Sequence, residues 1–147
     1  MLPLLAMLIL GSVDLGLMVR EHQLVQNGAR EGARFSAQPA NKIDTTNPTA
    51  TPESIRDRVI NYLAQENITI ATTACTADGT EAKRWNCGAI TIRQQHPIVT
   101  IVGGVTFTDF GSEVRVTYDR DFLFSGGSLF QFNSVSLNGN SVFRNLY

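Results

Sequence analysis

The first nineteen residues of the chain are almost entirely apolar and contain one charged side chain, Asp14. As a helix they would span roughly 28 Å, close to the hydrocarbon thickness of a bilayer. A secretory signal peptide is disfavoured, because no basic residue precedes the run and no small-residue cleavage motif follows it. A permanent anchor leaves Asp14 unexplained, since a carboxylate at mid-depth costs about 2.5–3.5 kcal/mol. We expect a helix that moves from lipid into a protein bundle, where Asp14 pairs with a basic group of a neighbour.

The helical pattern continues past this run to about residue 37, and Gln38-Pro39 ends it because the residue before proline disfavours helical geometry. Gly28 and Gly32 are four residues apart and therefore share one face. Glycines at this spacing allow another backbone to come close. The opposite face carries Arg30 and Arg34. The sequence thus predicts one helix over residues 1–37, apolar all round at its front and amphipathic at its rear.

The composition limits the possible functions of the remaining chain. The formal net charge is −1, so there is no electrostatic footprint for nucleic acid. Only two cysteines are present, Cys75 and Cys87, which is too few for a typical four-ligand zinc site. They are candidates for a disulfide, which would imply an oxidising compartment. The alternative is two free thiols that never meet.

Residues 38–51 are rich in Pro, Asn and Thr and predict a linker before a body over residues 52–147. Thr51-Pro52-Glu53 is a strong helix start, and an apolar stripe predicts a short amphipathic helix from 52 to about 65. Strands are predicted at residues 68–75, 89–93, 98–102, 105–108 and 113–118, with a last hairpin around Asn138-Gly139-Asn140. Helices followed by strands indicate an α+β fold with an antiparallel sheet.

No motif in the body points to catalysis, and we expect neither an enzyme nor a cofactor or metal site. Asp109-Phe110-Gly111 lacks the accompanying kinase loops and is interpreted as a turn. Asp119-Arg120-Asp121 offers too few ligands for calcium and is interpreted as a solvated turn. The phenylalanines of residues 122–132 flank Gly126-Gly127, which predicts a hairpin tip or an exposed apolar patch.

Four short motifs follow one another along the predicted N-terminal helix. They are Leu2-Pro3-Leu4-Leu5, the segment 11–16 with Asp14 in its acidic place, Gln26-Asn27, and Ala29-Arg30-Glu31-Gly32-Ala33-Arg34. In order and spacing they resemble the TadE-like family of the tight-adherence (Tad) pilus system, whose members are similar to type IV pilins. The resemblance covers about the first 37 residues.

The resemblance implies a structural subunit, either a major or a minor pilin, of a bacterial pilus. Such a subunit would self-associate into a helical filament and contact other pilins and pilus assembly proteins. It would lie in the inner membrane before assembly and at the cell surface afterwards. Asp14, Gly28, Arg30, Glu31, Gly32 and Arg34 are the residues expected to pack helices together. The alternative is a membrane-anchored envelope binding or adhesion module, in which the helix is only a tether.

Overall fold

A computed structural model describes residues 2–44, 50–81, 83–122 and 134–146. Helix α1 covers Leu2–Ser36, a single 3₁₀ turn covers Pro39–Asn41, and helix α2 covers Pro52–Gln65. The strands are β1 Thr76–Ala77, β2 Arg84–Cys87, β3 Ile90–Val102, β4 Val105–Asp121 and β5 Ser134–Arg144. The five strands form one antiparallel sheet in the order β1-β2-β3-β4-β5. The predicted α+β class with a long first helix and a short second helix is confirmed.

Local chemistry explains where helix α2 begins. Thr51 precedes α2 in an extended conformation, and its side chain accepts a hydrogen bond from the Ser54 amide at 3.3 Å. Pro52 occupies the first turn of α2, where its missing N–H costs nothing, and Glu53 lies near the positive end of the helix dipole. The predicted bounds of α2 are therefore confirmed.

The core lies between the helices and one face of the sheet. Ile90 pairs with Val116 and Ile92 with Val114 across β3 and β4, so these four fully buried side chains share a face. They belong to a single cluster that also includes apolar residues from both helices. The helical members of this cluster are Val25, Ala29, Ala33, Ile55, Val59 and Leu63. The rear half of α1 is therefore part of the core of the body.

Two predicted breaks in the sheet were wrong, because long strand pairing overrides local turn signals. β3 runs through His96-Pro97 with a register shift between Arg93 and His96, so the two predicted strands are one. β4 is likewise continuous, and Asp109-Phe110-Gly111 lies inside it instead of forming a turn. Eleven registered pairs hold β3 to β4, and this ladder stabilises an extended backbone at positions that favour turns in isolation.

Other predictions for the body also need correction. Residues 68–75 form no strand. They contact the region around Gly88 through hydrogen bonds that do not form a regular ladder, such as the bond from the Ala89 amide to the Ala71 carbonyl at 2.9 Å. Gly139 lies within β5 instead of at a hairpin tip, because the whole of β5 pairs with β4. The predicted hairpin tip at Gly126-Gly127 lies outside the described residues.

The turn between β1 and β2 is stabilised by the Asp78 side chain. Asp78 accepts hydrogen bonds at one carboxylate oxygen from the Thr80 hydroxyl at 2.6 Å and the Thr80 amide at 3.0 Å. These bonds favour the ionised form and lower the pKa of Asp78. The turn places Cys75 beside Cys87, and the predicted disulfide between them is present, with the Cα atoms 4.2 Å apart.

Replacing Cys75 and Cys87 together by serine is expected to lower the free energy of unfolding by about 2–3 kcal/mol, the chain-entropy value for a loop of this size. Urea unfolding of both proteins, each with and without reductant, measures the change. Reductant should destabilise the natural chain and leave the serine variant unchanged. Equal stability of the two oxidised proteins would contradict the prediction.

Candidate assembly surface on the N-terminal helix

The front of α1 is defined as residues 2–19, and most of its described apolar side chains are exposed to solvent. Leu8 is 64% exposed, Ile9 56% and Leu10 41%. Successive helical residues point about 100° apart, so these three show that the front is exposed around most of its circumference. Other exposed apolar side chains of the front are Leu5, Val13, Leu15 and Val19. Among the described residues, no helix combines the length and the apolar character needed to cross a membrane.

Asp14 is the exception on this front, because it is buried, with 6% of its surface exposed. It faces Arg120 of β4, which is 7% exposed. One Arg120 nitrogen lies 3.1 Å from the Asp14 carboxylate, and another donates to the Asp14 backbone carbonyl at 2.9 Å. The expected basic partner of Asp14 therefore comes from the same chain, and the proposed pairing with a neighbour is not needed to explain this carboxylate.

Glu21 adds a second carboxylate to this cluster, two helical turns after Asp14 and on the same face. Its Oε2 atom lies 3.0 Å from Arg120 Nε, close enough for an ion pair, although it meets no hydrogen-bond geometry. One guanidinium thus lies between two carboxylates of α1. Burial, reinforced by the Glu21 charge, raises the pKa of the neighbouring Tyr118.

The position of Arg120 shows why its interpretation as part of a solvated turn was wrong. β4 extends to Asp121, and its inward positions alternate through Val114, Val116 and Tyr118 to Arg120. This period of two continues the apolar face of the strand and directs Arg120 toward α1. The alternation was visible in the sequence, and extending it by two residues would have identified Arg120 as inward-facing.

Gly28 and Gly32 lie on the same face of α1 as Asp14, but they accommodate other parts of this chain. A Cβ at residue 32 would lie 2.5 Å from the Val59 side chain and 3.2 Å from Val114. A Cβ at residue 28 would lie 3.0 Å from Leu63. The glycines therefore allow α2 and the sheet to pack closely against α1, so a neighbouring backbone is not required to explain them.

Of the remaining residues expected to pack helices together, Glu31 contacts α2, whereas Arg30 and Arg34 face solvent. Glu31 accepts from Arg58 of α2, at 3.0 Å from Nε and 2.5 Å from Nη2, and so joins the two helices. Arg30 and Arg34 are exposed, and Arg30 donates within its own helix to Asn27 at 3.4 Å. Of the six residues, only these two arginines present their charges to solvent on the outer face of α1.

Two residues to which the sequence assigned no such role, Gln94 and Gly139, fix α1 to the sheet. Gln94 is 1% exposed and donates to the Asn41 carbonyl at 2.7 Å and the Ser36 hydroxyl at 3.1 Å. Its side-chain oxygen, Oε1, accepts from the Ile43 amide at 2.8 Å. Gly139 of β5 lies directly under Val25, where a Cβ would come within 2.6 Å of the Val25 carbonyl oxygen. Neither residue has a local sequence signal for this role, since each depends on a distant element.

The described part of the chain has no group of three or more His, Cys, Asp or Glu side chains that could hold a metal ion. The sheet face opposite the helices has a small, polar cavity of about 100 Å³. It is lined by Arg84, Thr91, Arg93, Glu113 and Arg115, and ion pairs with neighbouring carboxylates engage each of these arginines. Most of the described apolar side chains of the front of α1, by contrast, are exposed to solvent in this subunit.

Comparison with known proteins relates this helix to a family. Residues 1–34 match the sequence profile of the TadE-like proteins. No curated protein and no solved structure matches the chain significantly. The match ends two residues before the end of α1 and includes Asp14, Gly28 and Gly32. The N-terminal helix is therefore TadE-like in sequence over nearly its whole length, which relates the chain to the Tad pilus system.

Proposed function

We propose that this chain is a non-enzymatic structural subunit, a pilin or pseudopilin, of a Tad or type IV-like pilus, and that it assembles through the front of α1. The observation that carries the proposal is the exposure of that front. A helix that is apolar on all sides is stable when it is buried on all sides. Among the described side chains of the front, the body covers those on the face that bears Asp14, and further copies would cover the others.

The internal contacts of α1 support this role by presenting the front rigidly. The Asp14–Arg120 pair holds the helix to the end of β4, and the packing of Gly28 and Gly32 holds its rear half in the core. The front then extends from a fixed base, which lowers the ordering entropy that association would otherwise cost. Arg30 and Arg34, exposed on the rear of the same helix, are available to carboxylates of neighbouring subunits or of pilus assembly proteins.

Before assembly, the same front would hold the chain at the bacterial inner membrane, and the filament would then carry it to the cell surface. Support comes from the exposed apolar side chains of the front, such as Leu8 and Ile9, which lipid can cover. The disulfide between Cys75 and Cys87 also fits this route, because disulfides persist in the periplasm and outside the cell.

Replacing Leu8 and Leu15 by glutamine is expected to prevent filament formation and leave the body folded. Both side chains are exposed and seven residues apart, so they share a face of the front. Losing two apolar contacts of this size weakens association by about 3 kcal/mol or more, at least a hundredfold. Negative-stain microscopy of purified protein measures filaments, and urea unfolding checks the fold.

The matched control replaces His22 and Gln23, exposed polar residues of the same helix, by glutamine and alanine. It should form filaments like the natural chain. Abundant filaments from the Leu8→Gln/Leu15→Gln variant would refute assembly through the front. Both variants leave the core unchanged, whereas an exchange of residues 1–37 would also remove core residues such as Val25 and Ala29. Retained surface binding without any filament would instead favour the adhesion module.

A further inference from the structure

A second apolar projection extends from the body and is formed by the paired ends of β3 and β4. We define the β-arm as residues 97–110. From residue 97 to residue 108 it has no charged side chain, and its one acidic residue, Asp109, pairs with Arg144 at the base. Ile101 is 70% exposed and Phe107 57% exposed. Other exposed apolar side chains of the β-arm are Val99, Val102, Val105 and Phe110.

The β-arm is exposed on both faces and both edges. Cross-strand pairing places Val99 and Ile101 on one face, and Phe107 and Val102 on the other. Pairing of β2 with β3 ends at Arg93, and pairing of β4 with β5 begins at Gly111, so no described strand flanks the β-arm. A two-stranded ribbon alone is marginally stable in water, and an exposed apolar edge is an association site.

The position of the β-arm determines which surface of a second copy it can reach. Its base lies at the C-terminal end of α1, where the Ala37 carbonyl accepts from Leu146 and the Phe110 carbonyl accepts from Asn145. The front of α1 leaves the body at the other end, beyond Asp14 and Arg120. Since β4 runs along α1 between these two points, the two projections lie at opposite ends of the molecule and one copy cannot cover its own front.

The two projections also match in length and chemistry. The β-arm extends about 20 Å over residues 97–102 at 3.3 Å per residue. Residues 2–13 of α1 extend about 18 Å at 1.5 Å per residue. Neither segment carries a charged side chain, so contact between them would desolvate no charge.

We propose that the β-arm of one copy docks on the front of α1 of a second copy. The contact is head-to-tail, because it joins different surfaces of identical chains, and such contacts repeat into open filaments when the rotation does not close. It deepens the proposed function by naming a second surface of the subunit. The docked β-arm would cover apolar side chains of the front that are exposed within one copy.

Cross-linking of the whole protein tests the pairing directly. A photoreactive benzoylphenylalanine replaces Phe107, and equal amounts of isotopically light and heavy chains are mixed before assembly. Mass spectrometry should find mixed-isotope cross-links between position 107 and residues 5–19. Mixed links from arm to arm, links only to the body, or the absence of intermolecular links would each overturn the proposal. The same preparation is inspected for filaments, so filaments without the expected cross-link leave the proposed function standing and reject only the β-arm contact.

Substitution measures the strength of the contact. Ile101→Asp/Phe107→Asp should raise the concentration needed for assembly by at least about tenfold. Thr72→Asp/Thr76→Asp adds the same charge at exposed positions of the body and should assemble like the natural chain. Both variants should unfold at the natural urea midpoint, since the β-arm lies outside the core cluster. Equal assembly of the two variants would overturn the proposal.

Discussion

Arg120→Met is expected to lower the free energy of unfolding by about 3–5 kcal/mol, because it leaves two carboxylates of α1 without their buried cation. Asp14 lies 3.1 Å from this guanidinium and Glu21 lies 3.0 Å from it. Methionine retains much of the apolar stem, so the lost charge dominates the change. Urea unfolding followed by circular dichroism gives the value, and proteolysis within the front of α1 should accelerate.

Arg115→Met is the matched control, since Arg115 lies on the same strand but faces solvent and pairs with Glu113 at 3.3 Å. A surface pair of this kind contributes about 0–1 kcal/mol. Adding Asp14→Leu to Arg120→Met should recover part of the loss, because it removes the uncompensated charge. If Arg120→Met costs no more than Arg115→Met, the buried cluster does not hold α1 to the sheet.

Gly139→Val is expected to cost about 3 kcal/mol through overpacking between β5 and α1. A Cβ at this position would meet backbone atoms, the Val25 carbonyl at 2.6 Å and the Gln26 nitrogen at 2.9 Å, which cannot rotate away as a side chain can. The helix must therefore shift, and that shift also strains the hydrogen bonds between Gln26 and Asn140. Thermal and urea unfolding measure the loss.

Asn138→Val places the same side chain on the neighbouring position of β5, which points to solvent. It removes one exposed hydrogen bond with Thr117 and should change the stability by less than about 1 kcal/mol. Comparable losses from the two valine variants would show that close approach of α1 to β5 does not depend on glycine.

Local patterns predicted the helices well, because each pattern carries its own physical cause. The bounds of α2 follow from the Thr51 cap and Pro52, and the end of α1 follows from the proline at residue 39. The disulfide was likewise suggested by the chain having only two cysteines. Strand ends were predicted poorly around His96 and Phe110, since a registered neighbour strand can hold residues extended against their turn preference.

The predicted assembly residues illustrate the same limit. Asp14, Gly28 and Gly32 were recognised as unusual, correctly, since a lone carboxylate and paired glycines are costly in a helix without partners. Their partners could not be identified, because Arg120, Leu63 and Val59 are distant in sequence and come close only when the sheet folds. In the structure each of these three residues contacts side chains of its own subunit.

The sequence by itself determined a long N-terminal helix, TadE-like over residues 1–34, with an apolar front and an amphipathic rear. Only the tertiary structure decided which of its surfaces find contacts within the chain and which remain exposed. Pairing and packing within the chain neutralise Asp14 and fill the glycine face, whereas the front of α1 and the β-arm remain exposed at opposite ends. The physical reason is that a local pattern shows which side chains need a charged partner or apolar cover. Only the folded chain shows whether distant residues of the same chain provide it.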